Sequence, residues 1–290
     1  MGGLSSEREV SLQSGKNVVE GLASLGRYEV VPVVIDAENL DALPDGIDRV
    51  YIALHGGWGE NGGVQAALNA RKIPYTGPGV QASQIAMNKI KTKMVLEMNG
   101  VPTAPWMLAG RDTPQSPLPL PVVVKPPCDG SSVGISKVAD AADWAKCRDA
   151  AFDAMSAGDE ILVEEFIPGR EFTVPVLDGK AWSVIEIVAK GGWYGYEEKY
   201  NSDETRYPFF EDPELAPKMQ RIAVDAYRAC GCRGITRIDF RMSPLGRMYV
   251  LELNTSPGFT SHSLVPKAGM HAGFSFGEVC EQILETAATD

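Results

Sequence analysis

The sequence predicts an α/β block followed by α+β blocks, and three observations support this fold class. The chain has 290 residues, which is room for about two domains at roughly 150 residues each. Hydrophobic residues make up 44% and charged residues 22% of the chain, as in ordinary globular proteins. Residues 50–71 have the pattern of a strand, a glycine-rich turn and a helix, which is the repeating unit of an open parallel sheet.

The charge balance and the cysteines restrict the partners and the location. The chain has 27 Lys and Arg against 38 Asp and Glu, a formal net charge of −11. Such a surface repels phosphate backbones and anionic lipid, so no nucleic-acid partner is expected. No apolar run approaches the ~20 residues that span a bilayer, so no membrane partner is expected. Five scattered cysteines without a C-x-x-C pattern favour reduced thiols and a cytoplasmic location.

The first block is predicted to cover residues 1–88. Apolar residues at helical spacing predict a helix over 9–25. Continuous apolar runs predict buried strands over 28–36 and 50–54. The turn and helix that follow the second strand would place ligands at its carboxyl end, as in open parallel sheets.

Two further blocks, 89–170 and 171–290, are predicted to mix helices with strands. A Ser-Pro-Leu-Gly turn at 243–246 is a hairpin signal between the last two strands. The predicted strands include 121–125, 160–166, 171–177, 181–187, 234–242 and 247–254. The predicted helices cover 89–99, 141–155, 213–230 and about 263–286.

The last predicted hairpin carries the strongest chemical signal. Arg237 and Asp239 lie on one strand, and Glu252 and Asn254 lie on the next. Residues i and i+2 of a strand face the same side, so the four side chains can converge. Two carboxylates and an amide oxygen suit Mg²⁺, which prefers one or two carboxylates together with substrate phosphates. The alternative is a solvated polar face, but the strands are otherwise apolar and a Thr-Ser-Pro-Gly turn follows Asn254.

Two other segments have weaker signals for nucleotide binding. Lys125 ends an apolar strand and precedes the glycine and serine turn 130–134, a combination that supplies backbone N–H groups, hydroxyls and a charge to phosphates. A β-turn that binds no phosphate explains the same residues equally well. Residues 161–171 begin with apolar side chains and end with acidic ones. The apolar part would suit an adenine, and an acid beside it would suit the ribose hydroxyls. A strand with a charged edge is the alternative.

Taken in order, these segments resemble the ATP-grasp superfamily and, within it, the D-alanine–D-alanine ligases. The resemblance covers nearly the whole chain and implies an N-terminal open parallel sheet domain followed by a two-lobed ATP-grasp fold. In relatives an apolar strand precedes the glycines at 2 and 3, so the first strand is expected to be missing from this sheet. The segments that carry the resemblance are 5–12, 51–56, 60–62, 74–77, 87–93, 124–126, 130–134, 197–205, 237–239 and 251–266.

The resemblance implies an ATP-dependent ligase that joins two D-alanines through an acyl phosphate, as a homodimer. The product would be the dipeptide used in peptidoglycan synthesis. Two alternatives stay open: a related ligase with another second substrate, and a degenerate homologue that binds nucleotide without catalysis.

The resemblance also implies which residues hold ATP and metal. Two Mg²⁺ ions, which Mn²⁺ can replace, would be bound by Asp239, Glu252 and Asn254. The residues implied for ATP are Lys89, Lys125 and Lys199 at the phosphates, and Glu164, Phe166, Ile167 and Glu171 at the adenine and ribose.

Four residues are implied at the first D-alanine. Glu7 would pair with its ammonium group, helped by His55, for which a structural role in capping a turn is the alternative. Ser131 and Tyr200 would link to Glu7 and close a loop that excludes water. The hydroxyl of Tyr200 implies the amide product, because relatives that make the D-lactate ester tend to have Phe there.

Four residues are implied at the reacting carbonyl and the second substrate. Arg237 and the backbone N–H of Gly258 would stabilise the tetrahedral oxyanion. Ser263 and the backbone of Leu264 would receive the second carboxylate at a helix start, where unbonded N–H groups favour an anion.

Overall fold

The computed structural model describes residues 1–128, 134–155, 158–189 and 204–290. The α-helices in these ranges are α1 (Arg8–Ser24), α2 (Gly63–Ala70), α3 (Val80–Met87), α4 (Lys89–Met98), α5 (Trp144–Ala154), α6 (Leu215–Ala229), α7 (Leu264–His271) and α8 (Phe276–Leu284). The strands are β1 (Trp106–Gly110), β2 (Val122–Lys125), β3 (Ser136–Val138), β4 (Glu160–Glu165), β5 (Arg170–Leu177), β6 (Lys180–Ala181), β7 (Ile185–Ile187), β8 (Ile235–Met242) and β9 (Met248–Asn254).

Local capping chemistry sets the helix boundaries near the predicted positions. The side chain of Asn88 accepts a hydrogen bond from the Lys91 N–H and so begins α4. The predicted terminal helix 263–286 is instead two helices, because Gly273 has a positive φ of 96° and a capping box from Ser275 to Glu278 starts α8. Helix α3 and strand β1 were not predicted.

The central lobe is a four-stranded antiparallel sheet covered by α5. Its strand order is β1-β4-β2-β3. Val124, Val163 and Trp144 belong to one buried cluster between the sheet and the helix, and burying such side chains is the main source of stability. The register pairs Val123 with Glu164 and so places Lys125 at the end of β2 beside β4.

The C-terminal lobe is a second antiparallel sheet, in the order β6-β5-β8-β9, with β7 also paired to β5. The predicted strand 181–187 is therefore split into two short strands. Helix α6 packs on this sheet, with Met219 and Ala223 buried against Phe172 and Phe240. The β8–β9 register pairs Arg237 with Asn254 and Asp239 with Glu252.

The N-terminal block departs from the predicted parallel sheet. The segments 28–36 and 50–54 make only isolated parallel bridges in the described chain, from Gly2 to Ile35 and from Val50 to Tyr75, and no continuous ladder. A cavity of about 830 Å³ is lined by both segments. In the described chain the two segments share no backbone hydrogen bond with each other.

The backbone at Met1 lies at the edge of this cavity. The Met1 carbonyl accepts a hydrogen bond from the Ile35 N–H at 2.9 Å, and its ammonium group donates to the Val33 carbonyl at 3.1 Å. Burial, with a smaller contribution from Arg8, lowers the pKa of this amine to about 6.

None of the helices in the described parts of the chain has both the length and the apolar character that crossing a bilayer requires.

Candidate active site

The β8–β9 hairpin brings its four polar side chains together, as the strand periodicity predicted. Arg237 donates through Nε and Nη2 to the two carboxylate oxygens of Asp239, at 3.0 and 2.9 Å. Thr173 on β5 donates to Asp239 Oδ1 at 2.6 Å, and Asn254 on β9 donates to Oδ2 at 3.0 Å. Asp239 is only 6% exposed, so groups from three strands hold its orientation.

Lys89 connects this hairpin to the phosphate-binding candidate on β2. Its Nζ lies 3.7 Å from Glu252 Oε2, and its backbone N–H donates to the Pro127 carbonyl at 2.8 Å. Pro127 lies two residues after Lys125 in the turn that follows β2. The N-terminus of α4 therefore joins the hairpin and this turn in one cleft between the lobes.

The hairpin fits a hard divalent cation better than a soft one. Asp239, Glu252 and Asn254 supply two carboxylates and an amide, whose oxygens are the ligands that Mg²⁺ prefers. In the described ranges no group of three His, Cys, Asp or Glu side chains is placed to hold a metal. A cation here would thus need the Asn254 amide oxygen and substrate phosphates to complete its shell.

Lys125 forms a buried charge cluster rather than an isolated cationic site. Its Nζ is ion-paired with Glu164, and the other oxygen of Glu164 is ion-paired with Lys93 on α4. Burial alone would raise the pKa of Glu164, but the two lysines outweigh it and the pKa is lowered. Glu164 is therefore a buried carboxylate held between two cations.

Glu164 thus lies between two lysines, and its implied role at the adenine and ribose stays a prediction. The side chain is 2% exposed and both its oxygens are engaged by lysines. The pairing could not be inferred from the sequence, because Lys93, Lys125 and Glu164 lie on three elements that only the folded chain brings together.

The other residues implied at the adenine line the end of β4 and the start of β5. Ile167 is buried, and its carbonyl accepts from Arg241 Nε at 3.2 Å. Glu171 accepts from Arg241 Nη1 at 3.1 Å, and the Phe166 ring lies 3.7 Å from Lys137 Nζ. Arg241 was missed, although the alternation of Arg237, Asp239 and Arg241 along β8 could have indicated it.

Glu7 and Glu60 lie close to each other at the start of α1 and the turn after residue 54. A Cβ on Gly56, whose φ is +65°, would lie 2.9 Å from Glu7 Oε2, so this close approach requires glycine. Burial, followed by the charge of Glu7, raises the pKa of Glu60 to about 8. Glu60 was not predicted as a site residue, since only the fold shows that a second, half-buried carboxyl lies near Glu7.

Glu60→Gln is expected to flatten the decline of stability with pH. The folded chain keeps a proton on Glu60 up to about pH 8, whereas the ordinary pKa is 4.5. Between these values the unfolded chain binds fewer protons, so the free energy of unfolding falls as pH rises. Melting temperatures of wild type and variant from about pH 5 to about pH 8 test this. Glu9→Gln, an exposed acid on α1, is the control, and an unchanged slope in Glu60→Gln would contradict the assignment.

His55 occupies a structural position. Its Nδ1 lies 2.9 Å from the Ser256 carbonyl and must donate to it, so Nε2, at 3.0 Å from Ser14 Oγ, accepts from that hydroxyl. Ser14 Oγ in turn accepts from the Phe259 N–H at 3.0 Å. Burial lowers the pKa of His55, which favours this neutral form. Both ring nitrogens are hydrogen-bonded, so His55 holds the 256–259 turn, and its implied role beside the first D-alanine stays a prediction.

The 256–259 turn lies against the start of α7. A Cβ on Gly258 would lie 2.9 Å from Ser263 Oγ, so the two residues are adjacent. Ser263 Oγ accepts from the Thr260 N–H at 2.8 Å, and Leu264 is the first residue of α7. Three implied residues, Ser131, Lys199 and Tyr200, lie outside the described residues.

Comparisons with known proteins agree with this architecture. A family model described as the D-ala D-ala ligase C-terminus matches residues 95–285. A D-alanine–D-alanine ligase of Bordetella avium is 46% identical over 99% of this chain and 93% of its own length. The crystal structure of the Bacillus anthracis D-alanine–D-alanine ligase has a TM-score of 0.86 and 32% identity, covering 99% of this chain and 95% of that one. Its complex with ATP has a TM-score of 0.84 and 30% identity, covering 99% and 94%.

Two antiparallel lobes, with lysines and a carboxylate hairpin in the cleft between them, define an ATP-grasp enzyme. The chain belongs to the D-alanine–D-alanine ligase family.

Proposed function

We propose that this chain joins two molecules of D-alanine, using ATP, to form D-alanyl-D-alanine for peptidoglycan synthesis. The observation that carries the proposal is the hairpin of Arg237, Asp239, Glu252 and Asn254, linked through Lys89 to the turn beside Lys125. Family membership over the full length supports the same chemistry. The alternatives of another second substrate and of a non-catalytic homologue are not favoured by the relatives.

The reaction has two balanced steps. A carboxylate is a poor electrophile, so a carboxylate oxygen of the first D-alanine attacks the γ-phosphorus of ATP and ADP leaves. The amine of the second D-alanine then attacks the acyl phosphate carbonyl. A tetrahedral oxyanion forms, phosphate leaves, and the nitrogen loses a proton.

Cationic side chains neutralise charge as the phosphoryl group moves. Lys89 and Lys125 lie at the two sides of the cleft and would contact the phosphates, together with Lys199. Positioned cations in a partly dry site stabilise such a transition state more than water does. Phe166, Ile167 and Glu171 would hold the adenine and ribose, with Arg241 fixing Glu171 and the carbonyl of Ile167.

Asp239, Glu252 and Asn254 would hold Mg²⁺, or Mn²⁺ in its place. When bound, the two ions would neutralise phosphate charge at the β- and γ-phosphates. In this chain Thr173 and Arg237 orient the Asp239 carboxylate before any ligand arrives, which lowers the cost of assembling the site.

The reacting carbonyl lies at Arg237 in this proposal. Its guanidinium and the N–H of Gly258 would donate to the oxyanion, and Glu7 would pair with the ammonium of the first D-alanine. The N-terminus of α7, at Ser263 and Leu264, would bind the second carboxylate, since the first N–H groups of a helix lack intrahelical partners. Ser131 and Tyr200 would close the site against water. The enzyme would act in the cytoplasm as a homodimer.

Product analysis tests the proposal directly. The purified chain is incubated with ATP, Mg²⁺ and D-alanine, ADP release is followed by a coupled assay, and the product is identified by mass spectrometry. D-alanyl-D-alanine with one ADP per dipeptide is the expected result. Parallel reactions with D-lactate, D-serine and L-amino acids show whether another second substrate is preferred. ATP binding without ADP release would instead support the non-catalytic alternative.

A further inference from the structure

Lys93 is a fully buried lysine that the mechanism above does not use. It lies one helical turn after Lys89 on α4 and is 2% exposed. Its Nζ donates to Thr103 Oγ1 at 2.7 Å and to the Ala104 carbonyl at 2.9 Å, and it is ion-paired with Glu164. Two of the three donors of this ammonium group are hydrogen-bonded inside the protein, and its charge is paired with Glu164.

The partners of Lys93 reach both sides of the cleft. Thr103 Oγ1 donates in turn to the carbonyl of Val250 at 2.9 Å. Val250 lies on β9, two residues before Glu252. On the other side, Glu164 is ion-paired with Lys125. One chain of contacts thus runs from β9, which carries candidate metal ligands, to Lys125, the candidate phosphate-binding lysine.

The buried cluster of Lys93, Lys125 and Glu164 contains two cations and one anion. If Lys125 moves toward a phosphate, Glu164 loses part of its neutralisation. A buried carboxylate without a counterion is strongly destabilising. Lys93 is paired with the other oxygen of Glu164 and would still neutralise it when Lys125 contacts a phosphate.

We propose that Lys93 is a positioning residue for nucleotide binding, the permanent counterion of Glu164 that allows Lys125 to share its charge with a nucleotide phosphate. The proposal rests on the proposed function, because it requires a nucleotide at Lys125. It goes beyond that function in assigning a role to a residue that touches no substrate.

Calorimetric titration of the full chain with ATP and Mg²⁺, without D-alanine, tests the proposal. Lys93→Met is expected to weaken ATP binding at least about tenfold at pH 8. Lys91→Met is the matched control, since Lys91 is exposed on the same helix, and it should bind ATP as wild type does.

The pH dependence separates charge compensation from a merely structural role. Without Lys93, burial should raise the pKa of Glu164, so that lowering the pH protonates it and releases Lys125. The ratio of variant to wild-type dissociation constants should therefore shrink from about pH 8 to about pH 6. The charged groups facing this pair are Lys125 on β2 and, near Lys93, Glu97 on α4. A ratio that stays constant over this range would overturn the proposal.

A double variant removes both charges and keeps the test valid if Lys93→Met alone does not fold. Lys93→Met with Glu164→Gln should bind ATP within about threefold of Glu164→Gln alone, because with the carboxylate removed Lys93 has no buried charge left to compensate. Weaker binding than this would overturn the proposal, as would wild-type affinity in Lys93→Met alone. Wild type that fails to bind ATP would overturn the proposed function and this inference together. Wild type that binds ATP, with Lys93→Met unaffected, would overturn the inference alone.

Discussion

Replacing Arg237 with Met is expected to lower the rate of dipeptide formation by about 10²–10³-fold, which is the usual cost of removing one oxyanion donor. In the proposed mechanism the guanidinium contacts the developing negative charge, and it also holds both oxygens of Asp239. Coupled ADP release with saturating ATP and D-alanine measures the effect.

A matched control distinguishes this role from a general effect of lost charge. Arg247→Met removes an exposed arginine at the other end of the same hairpin and should leave the rate nearly unchanged. The fold of Arg237→Met should persist, because Thr173 and Asn254 still donate to Asp239. A rate within a few-fold of wild type would remove Arg237 from the reaction centre.

Gly169→Ala is expected to be the most destabilising small substitution at the nucleotide cleft. Gly169 joins the segment after β4 to β5 at a φ of +126°, and an added Cβ would lie 2.1 Å from the Met242 carbonyl oxygen. The backbone must move to accommodate it, so the free energy of unfolding should fall by at least about 3 kcal/mol. Urea unfolding followed by circular dichroism measures the change.

Gly179→Ala serves as the control for this substitution. Gly179 also has a positive φ, of 76°, but nothing lies within 4 Å of its added Cβ. It should cost only about 1–2 kcal/mol, the usual penalty for a left-handed residue other than glycine. Equal losses in the two variants would show that the close approach to Met242 has no effect. Because Gly169 lies between Ile167 and Glu171, its variant should also weaken ATP binding.

The hairpin site was predictable because it depends on local geometry. Side chains on a strand alternate with a period of two, so the spacing of Arg237 from Asp239, and of Glu252 from Asn254, places each pair on one face. The turn at 243–246 then brings the two strands side by side, and the register pairs all four positions. Little beyond the sequence was needed to infer this convergence.

The charge cluster was not predictable, because each member is ordinary in its own segment. From the sequence, Lys93 is one polar residue of a predicted helix, and Glu164 is an acid near the end of a predicted strand. Their pairing requires Lys93 on α4 to reach Glu164 on β4, beside Lys125 on β2, and only the folded chain brings these three elements together. The same holds for Glu60, whose pKa depends on the burial that a distant segment provides.

In the N-terminal block the sequence predicted strand pairing that the described chain does not show. The apolar runs at 28–36 and 50–54 were predicted as strands, yet in the described chain they make only isolated bridges and no ladder. Periodicity reports which residues can lie in a strand, but a ladder needs a partner within hydrogen-bonding distance. Here a cavity lies along both segments.

The family, most of the helices and strands, and the convergence of the hairpin side chains could be inferred from the sequence, because they follow from short-range periodicity and motifs. Which charges are buried together and which histidine nitrogens are already bonded became visible only in the folded chain. Burial and ion pairing depend on groups far apart in the chain, and their energies change steeply with distance and solvent exposure.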